Sequence, residues 1–380
     1  MSIEPRQRRR SGSVLVLALL MMVVMFGFLA FAVDLGYLNV LRTQVQRSAD
    51  AAAVAAAWEL IDEDTLTGAG NPEQLISDAG DTAAQYAQLN TVAGKASALA
   101  AEDIVIGHLA NPSDPDSQIT FDEPSRYNAV QIRVQRSADQ NGEVPLFFAR
   151  VLGIDSHSTQ GWATAAFVNS FSGFRAPTSG ENLQMLPFAL DQETWNALMA
   201  GTGTDDWSWD AESGQVVAGS DGILEVNLYP QGTGSPGNRG TVDIGSDNNS
   251  TADLARQILY GISEEDLEYH GGSLEFDANG ELHLGADPGI SAGMKDELAA
   301  IKGDPRIIPI FSQLTGNGNN AQYTIVQFAG IRITDVKLTG SMSSKRVIIQ
   351  PAIVLAGGGI PGPPGDPTSN FVYSAVWLVR

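Results

Sequence analysis

Acidic side chains are the residues of this sequence whose types and spacing come closest to forming a chemical site. One short segment places four acids around Trp207 and Trp209, namely Asp205, Asp206, Asp210 and Glu212. A second segment, Asp277-x-Asn279-Gly280, begins like a calcium-binding loop but lacks the third acidic position and the terminal glutamate. Oxygen ligands suit a hard cation, so a weak calcium site around the tryptophans stays open as an alternative. The pattern favours solvated turns, and we predict no metal site.

Other chemical motifs are missing from the sequence. The four histidines have no ligand-like spacing, and they are His108, His157, His270 and His283. Cysteine is absent, and so is a GxSxG nucleophile turn. The Gly-rich stretch 232–240 lacks the lysine and hydroxyl of a phosphate-binding loop, and Arg239 alone makes no anion site. We therefore predict no catalytic residue, no cofactor and no enzymatic activity.

The net charge of the chain limits the kinds of molecule that it can bind. Of the 22 basic residues, four lie at Arg6, Arg8, Arg9 and Arg10, where Glu4 is the only acid. The chain after residue 10 carries 18 basic and 43 acidic residues, a net charge of −25. Such a surface repels nucleic-acid phosphates, so we expect no nucleic-acid partner.

The basic cluster precedes an apolar segment, and this segment must position the rest of the chain. Residues 11–33 carry no charge, and the 20 residues from Val14 to Val33 would span roughly 30 Å as a helix, the thickness of a membrane's hydrocarbon core. Arginines flanking a span stay in the cytoplasm. The sequence thus predicts a single-pass anchor in a bacterial inner membrane, with residues 1–13 cytoplasmic and the bulk outside.

Two alternatives to a retained anchor exist. A buried core helix is one, although four arginines at a chain start argue against it. Cleavage as a signal peptide is the other, because Ala30-Phe31-Ala32 has the small-x-small form of a cleavage site. The apolar run exceeds the usual signal core of roughly 7–15 residues, which favours retention.

The helix is predicted to continue to about Leu60. Apolar residues recur there at spacings of three and four, at Leu35, Leu38, Leu41, Val45, Ala49, Ala52, Ala56 and Leu60. Either this stripe packs on the chain's own domain, or it packs against helices of other subunits to form an oligomer.

The N-terminal pattern resembles the TadE/TadG-like proteins of the Tad (tight adherence, Flp) pilus-assembly system. The residues that carry the resemblance are the basic start, the apolar span, and the segments 32–37 (AVDLGY), 42–44 (RTQ) and 49–53 (ADAAA). A second stretch resembles long planctomycete-type members, through residues 130–134, 144–153 and 163–166, and the part from about 181 is similar to their C-terminal part.

Two departures limit what the resemblance implies. Prepilin processing resembles cleavage after glycine with a glutamate five residues on, whereas here Gly12 is followed at that distance by Leu17. Some members carry a DxSxS metal site, and no DxSxS occurs in this sequence.

The remaining pattern predicts an α+β fold. After the long helix, a helix at 73–89, strands at 104–109 and 129–134, a short helix at 146–152 and a strand at 158–168 indicate a small α+β domain over 34–168. The Ser/Gly-containing stretch 169–181 is predicted as a linker. Residues 182–380 are predicted to form a second, strand-rich α+β domain, with a cap at Ser291 and a last strand at 371–379.

We expect the chain to be a non-enzymatic, membrane-anchored structural or assembly component of a Tad-type (Flp) pilus or secretion apparatus. It would act by helix and domain packing with other Tad/Flp pilus-assembly proteins. The alternative is a surface adhesion module whose C-terminal domain binds a carbohydrate or a calcium-bridged partner. An anchored enzyme is the third class, with only unassigned acids in its favour.

Overall fold

A computed structural model describes residues 11–68, 70–229, 240–246, 249–287, 292–316, 320–362 and 368–379. The Gly-rich stretch up to residue 239 and the predicted cap at Ser291 lie outside these ranges. Six α-helices are present in the described residues: α1 Ser11–Glu59, α2 Pro72–Leu89, α3 Gln192–Met199, α4 Thr251–Tyr260, α5 Glu264–Glu268 and α6 Lys295–Ala300.

The strands fall into an N-terminal and a C-terminal group. The first group is β1 Ile104–Leu109, β2 Ile119–Thr120, β3 Ala129–Arg136, β4 Val144–Pro145, β5 Ser156–His157 and β6 Thr159–Ala166. The second group begins with β7 Phe171–Arg175, β8 Phe188–Asp191, β9 Trp207–Asp210, β10 Gln215–Ala218, β11 Val226–Tyr229, β12 Gly240–Asp243, β13 Ser273–Glu275 and β14 Leu282–Asp287. It ends with β15 Pro305–Thr315, β16 Ala321–Lys337, β17 Arg346–Pro351, β18 Val354–Leu355, β19 Gly359–Pro361, β20 Ser369–Asn370, β21 Val372–Tyr373 and β22 Trp377–Leu378. The predicted α+β class with a long N-terminal helix is confirmed.

Helix α1 is continuous from the apolar span into the folded part of the chain. Its first 20 apolar residues carry no charge and no proline, and the alanine run near its end consists of strong helix formers. The predicted stripe is buried from Leu41 onwards: Leu41 is 1% exposed, and Val45, Ala49, Ala52 and Ala56 are fully buried. The stripe therefore packs on the chain's own domain.

Small side chains let α1 approach the sheet that it covers. The antiparallel sheet has the strand order β2-β1-β3-β6-β22. On β6, Gly161, Ala163 and Ala165 face the helix, and on β3 the alternating Val130, Ile132 and Val134 do so. Helix α2 joins the same core through Ala79, Ala83 and Ala87, which are spaced one helical turn apart.

The C-terminal group centres on a sheet buried on both faces. The strand order is β11-β17-β16-β14-β12-β8-β15, and the 17-residue β16 also pairs with β15 and β20. One face packs on α3, α4 and α6, with Trp195, Ile258 and Leu298 in the core. The other face packs on the small sheet β13-β7-β19, where Phe174 meets Phe328 edge to face at 4.9 Å.

The predicted linker at 169–181 contains a core strand. Strand β7 pairs with β13 and β19, and its Phe171 and Phe174 are buried. Residues 171–175 of the predicted linker form this strand because two buried aromatic side chains outweigh the turn-forming Ser172 and Gly173 between them. The limits of the two predicted domains stay a prediction.

Two further local predictions need correction. The predicted helix at 146–152 is a 3-10 helix restricted to Ala149–Leu152, and the last strand at 371–379 is split into β21 and β22. Strand β22 pairs with β6, so the C-terminal residues complete the N-terminal sheet.

Replacing Gly161 with valine should destabilise the packing of α1. A side chain at this position would meet Val45 Cγ1 at 3.0 Å and the Gln46 backbone nitrogen at 3.1 Å. We expect the free energy of unfolding to fall by about 1–3 kcal/mol, as for overpacked cores. Gly80→Ala on α2 is the matched control, since nothing lies within 4 Å of its new methyl group. Denaturant unfolding gives the free energy of unfolding of each variant. A Gly161→Val protein as stable as the Gly80→Ala protein would contradict close packing of α1 on β6.

Candidate membrane anchor and assembly surface

The first part of α1 exposes an uninterrupted apolar surface. Every large apolar side chain from Val14 to Val33 is exposed, with values from 45% at Val24 to 74% at Leu15. Within the described residues, α1 is the one helix long and apolar enough, by length and composition, to cross a membrane. Exposed apolar area on this scale needs a cover, because it would be costly in water.

Asp34 marks the point where α1 meets the folded domain. It is the first charged residue after the span, yet it is only 5% exposed. Its carboxylate accepts hydrogen bonds from three consecutive backbone N–H groups, those of Phe147 at 3.0 Å, Phe148 at 3.0 Å and Ala149 at 2.6 Å. The helical turn that forms here is restricted to Ala149–Leu152, and the amides bound by Asp34 lie at its start.

The charge state of Asp34 is set by two opposed effects. Burial raises the pKa of the carboxyl, but the three N–H donors and the nearby Arg150 together hold the pKa below its ordinary value. The ionised form is therefore the one that the loop binds. An aromatic contact supports the same junction, since the Tyr37 and Phe147 rings meet edge to face at 5.0 Å between centroids.

Beyond Asp34, toward the C-terminal end of α1, polar side chains of the helix bond to the rest of the domain. Gln44 Oε1 accepts from the Ala93 N–H at 2.8 Å, Gln46 Nε2 donates to the Trp162 carbonyl at 2.7 Å, and Ser48 Oγ donates to the Ala87 carbonyl at 3.3 Å. These bonds leave one side of the helix uncovered. The exposed residues on that side follow helical spacing at Gly36, Val40, Thr43 and Arg47.

The acids around the tryptophans are held by their own turns. Asp205 accepts from the Ser220 hydroxyl and from the Asp221 and Gly222 N–H groups, and these bonds, the hydroxyl foremost, lower its pKa. Asp210 accepts from the Ser213 hydroxyl and the Glu212 N–H, with the same effect on its pKa.

Glu225 is the acid that the sequence did not single out here. It is 1% exposed and accepts from Thr204 Oγ1, the Asp206 N–H and the Trp207 N–H, at 3.2, 2.9 and 2.8 Å. Burial raises its pKa despite these bonds. Its backbone pairs with Thr204 through an isolated antiparallel bridge, and a partner 21 positions away gives no local sequence signal.

The two tryptophans lie under cations. Lys302 Nζ lies 5.4 Å from the Trp207 ring centroid, and the Arg332 guanidinium carbon lies 5.0 Å from that of Trp209.

Asp277 accepts from the Asn279 and Glu281 N–H groups within a tight turn. In the described part of the chain, no three His, Asp or Glu side chains are placed to hold one metal ion.

The histidines are dispersed, as their spacing indicates. His108 Nδ1 lies 3.0 Å from the Arg126 carbonyl, and burial lowers its pKa. His270 Nε2 accepts from the Gly245 N–H at 3.3 Å, and burial lowers its pKa too. His283 lies 3.6 Å from a Glu281 oxygen, and His157 is exposed on β5.

A cavity of about 330 Å³ lies where the two groups of strands meet. Its lining includes Leu60 at the end of α1, Pro72 at the start of α2, and Phe371 and Tyr373 from the C-terminal strands. Burial raises the pKa of Tyr373 to about 12, so the phenol stays neutral. Arg126 is the charged residue among the described residues of the lining, which contain no pair of acidic or basic groups that could bind a metal ion or transfer a proton.

Comparison with known proteins concerns the N-terminal part of the chain. Residues 12–59 match the family model described as TadE/G-like Flp pilus assembly, and residues 55–165 match the one described as Tad-like Flp pilus assembly. The first match coincides with α1, and the second ends within β6. No curated protein matches the chain, and no solved structure matches it. The resemblance inferred from the N-terminal motif is confirmed over these residues.

Asp34→Asn should release the loop after β4 while leaving α1 in place. The amide can accept through one oxygen only, and its NH₂ group faces backbone donors. We expect hydrogen exchange at Phe147, Phe148 and Ala149 to become faster, with exchange near Ala52 unchanged.

The same contact should depend on pH. The Asp34 pKa is lowered in the folded state, so the contact is complete above the ordinary aspartate pKa and is lost as pH falls through the lowered value. Exchange of the three amides, corrected for intrinsic rates and compared between pH 6 and the acid range, measures this loss. Identical behaviour of wild type and Asp34→Asn across that range would contradict the assignment.

Proposed function

We propose, on the premise that residues 12–165 belong to the Tad family of Flp pilus-assembly proteins, that this chain anchors a folded extracytoplasmic unit to the inner membrane. The chain is a pilus-assembly component. Its proposed role is structural: α1 crosses the membrane once, with the N-terminus in the cytoplasm, and presents the folded part to other Tad/Flp proteins. Packing and placement, without catalysis, would be the mechanism.

One observation carries the proposal, namely the change of environment along a single unbroken helix. Residues 14–33 of α1 are exposed and apolar, and from Leu41 the same helix is locked into a domain core. A bilayer is the cover that fits a 20-residue apolar cylinder about 30 Å long. Four arginines immediately before it favour the cytoplasmic side for the N-terminus.

The uncovered side of α1 is the surface proposed for contact with pilus components. The stripe Gly36, Val40, Thr43 and Arg47 continues the membrane span upwards on the side away from the sheet. Val40 is 52% exposed, although it is apolar. Another helix that leaves the membrane nearby could pack along this stripe without disturbing the core behind it.

Anchoring predicts that the full chain resists extraction from membranes by alkaline carbonate. The same chain lacking residues 14–33, exported with a cleavable signal, should be recovered in the soluble extracytoplasmic fraction, because its remaining surface is acidic and folded. Protease added to spheroplasts should digest a C-terminal tag from outside. Mass spectrometry of the mature chain distinguishes the alternative, since a start at Val33 would mean that the span is a discarded signal.

The contact surface predicts a selective assembly defect. In a strain lacking this gene, pili should be lost and the wild-type chain should restore them. Val40→Asp should accumulate in the membrane at wild-type level but fail to restore pili, because a carboxylate would be buried at the contact. Val217→Asp is the matched control, since this valine on β10 is 40% exposed and far from α1 in sequence. Normal piliation of the deletion strain would contradict the proposed role, whereas normal piliation with Val40→Asp would contradict only the surface.

A further inference from the structure

The turn between β4 and β5 concentrates exposed apolar side chains. Over residues 146–154, Leu146 is buried at the base, whereas five large apolar residues are exposed: Phe147 at 60%, Phe148 at 46%, Val151 at 88%, Leu152 at 78% and Ile154 at 53%. So many exposed apolar side chains in nine residues form a patch of the kind that marks an interaction site. We call this segment the apolar loop.

The apolar loop lies at the level where α1 leaves its apolar span. Its amides at residues 147–149 bind Asp34, the residue that directly follows Val33. The buried contacts of α1 with the domain begin higher up, since Gly161 lies against Val45 and Gln46. The loop therefore lies beside the helix at the end of the apolar span, nearer to that span than the contact of β6 with α1.

The loop's backbone is suited to a medium without water. Unpaired N–H groups are costly in lipid, and those of the loop are largely bonded within it or to Asp34. The remaining internal bonds run from Leu146 N–H to the Asp155 carbonyl, Val151 N–H to Phe148, Gly153 N–H to Arg150 and Ile154 N–H to Ala149. Gly153 adopts a φ of 84°, which closes the 3-10 helix compactly.

The charged residues of the loop stand where headgroups would be. Arg150 is exposed, and its long side chain can extend from the loop to lipid phosphates. Asp155 follows the last apolar residue and closes the base of the loop. Tyr37 contacts Phe147 at the same height, and tyrosine is favoured at membrane–water interfaces.

We propose that the apolar loop inserts Phe147, Phe148, Val151, Leu152 and Ile154 into the outer leaflet of the membrane that α1 spans. This inference rests on the anchoring proposed above. The occupant is the bilayer rather than a protein, because Asp34 fixes the loop beside the exit of the span, where lipid already surrounds the helix. The domain then has two attachments to the membrane, which fix its tilt as well as its height.

A site-directed probe tests the insertion in the full chain. The protein contains no cysteine, so single cysteines can be labelled with an environment-sensitive fluorophore and the chain reconstituted into phosphatidylcholine vesicles. Val151→Cys reports on the loop, and Phe26→Cys reports on the span. Leu89→Cys is the matched control, because Leu89 is 68% exposed and apolar. It lies two residues after Ala87, whose carbonyl accepts from Ser48 at a point roughly 21 Å farther along α1 than Asp34.

Insertion predicts a blue-shifted emission at Val151 and several-fold stronger quenching by lipid-borne spin labels than at Leu89. A signal in lipid at Phe26 with Val151 in water would overturn the insertion while leaving the anchor intact. Water exposure at both positions would instead overturn the anchor. A blue shift at Val151 without quenching by spin-labelled lipid would assign the loop to a second copy of the chain and also overturn the proposal.

Discussion

The backbones of α1 and β6 come close together because both carry small side chains where they meet: Ala49, Ala52 and Ala53 on the helix, and Gly161, Ala163 and Ala165 on the strand. A β-carbon at position 161 would lie only 3.0–3.2 Å from Val45 Cγ1 and the Gln46 backbone, closer than most such contacts. The dispersion energy of such close packing depends steeply on distance, since a gap of a fraction of an ångström already loses much of it. The direction of the exposed span relative to the domain is fixed by this contact, because α1 is one helix.

A helix shared by two environments also determines which polar groups are needed at the boundary. Asp34 is too close to the apolar span to be left unpaired, and it is too far from the core to be covered by it. The loop after β4 meets this need with three backbone donors. This polar contact joins the helix and the domain at the height of the expected membrane surface. Farther along α1, the buried alanines Ala49, Ala52 and Ala56 join them through apolar packing.

Local patterns predicted much of this architecture. The periodic spacing from Leu35 to Leu60 predicted the end of α1 to within a residue of Glu59, and the helix predicted at 73–89 matches α2. The burial of the stripe followed from the same spacing. These features depend on residues that are near one another in sequence, where helical periodicity and capping preferences act directly.

Long-range pairing explains what the sequence did not predict. Phe171 and Phe174 sit among serines and a glycine, and only their distant partners Phe328 and Leu274 turn that stretch into a core strand. Residues 146–152 were predicted as a helix because they are apolar, whereas the helical turn covers only Ala149–Leu152, and the amides at its start bind Asp34, more than 100 positions away. A turn forms at Asp277–Gly280, but the strands on either side of it do not pair with each other, because β13 pairs with β7 and β14 pairs with β16.

The pairing of β22 with β6 has a consequence for the order of events during synthesis. Residues 12–165 leave the ribosome first, yet the edge of their sheet at β6 stays open until Trp377 and Leu378 have been synthesised. An open edge can pair with the wrong strand, including one from a neighbouring nascent chain. The N-terminal sheet thus reaches its final form only when the C-terminal end of the polypeptide has been made, which links its maturation to completion of translation.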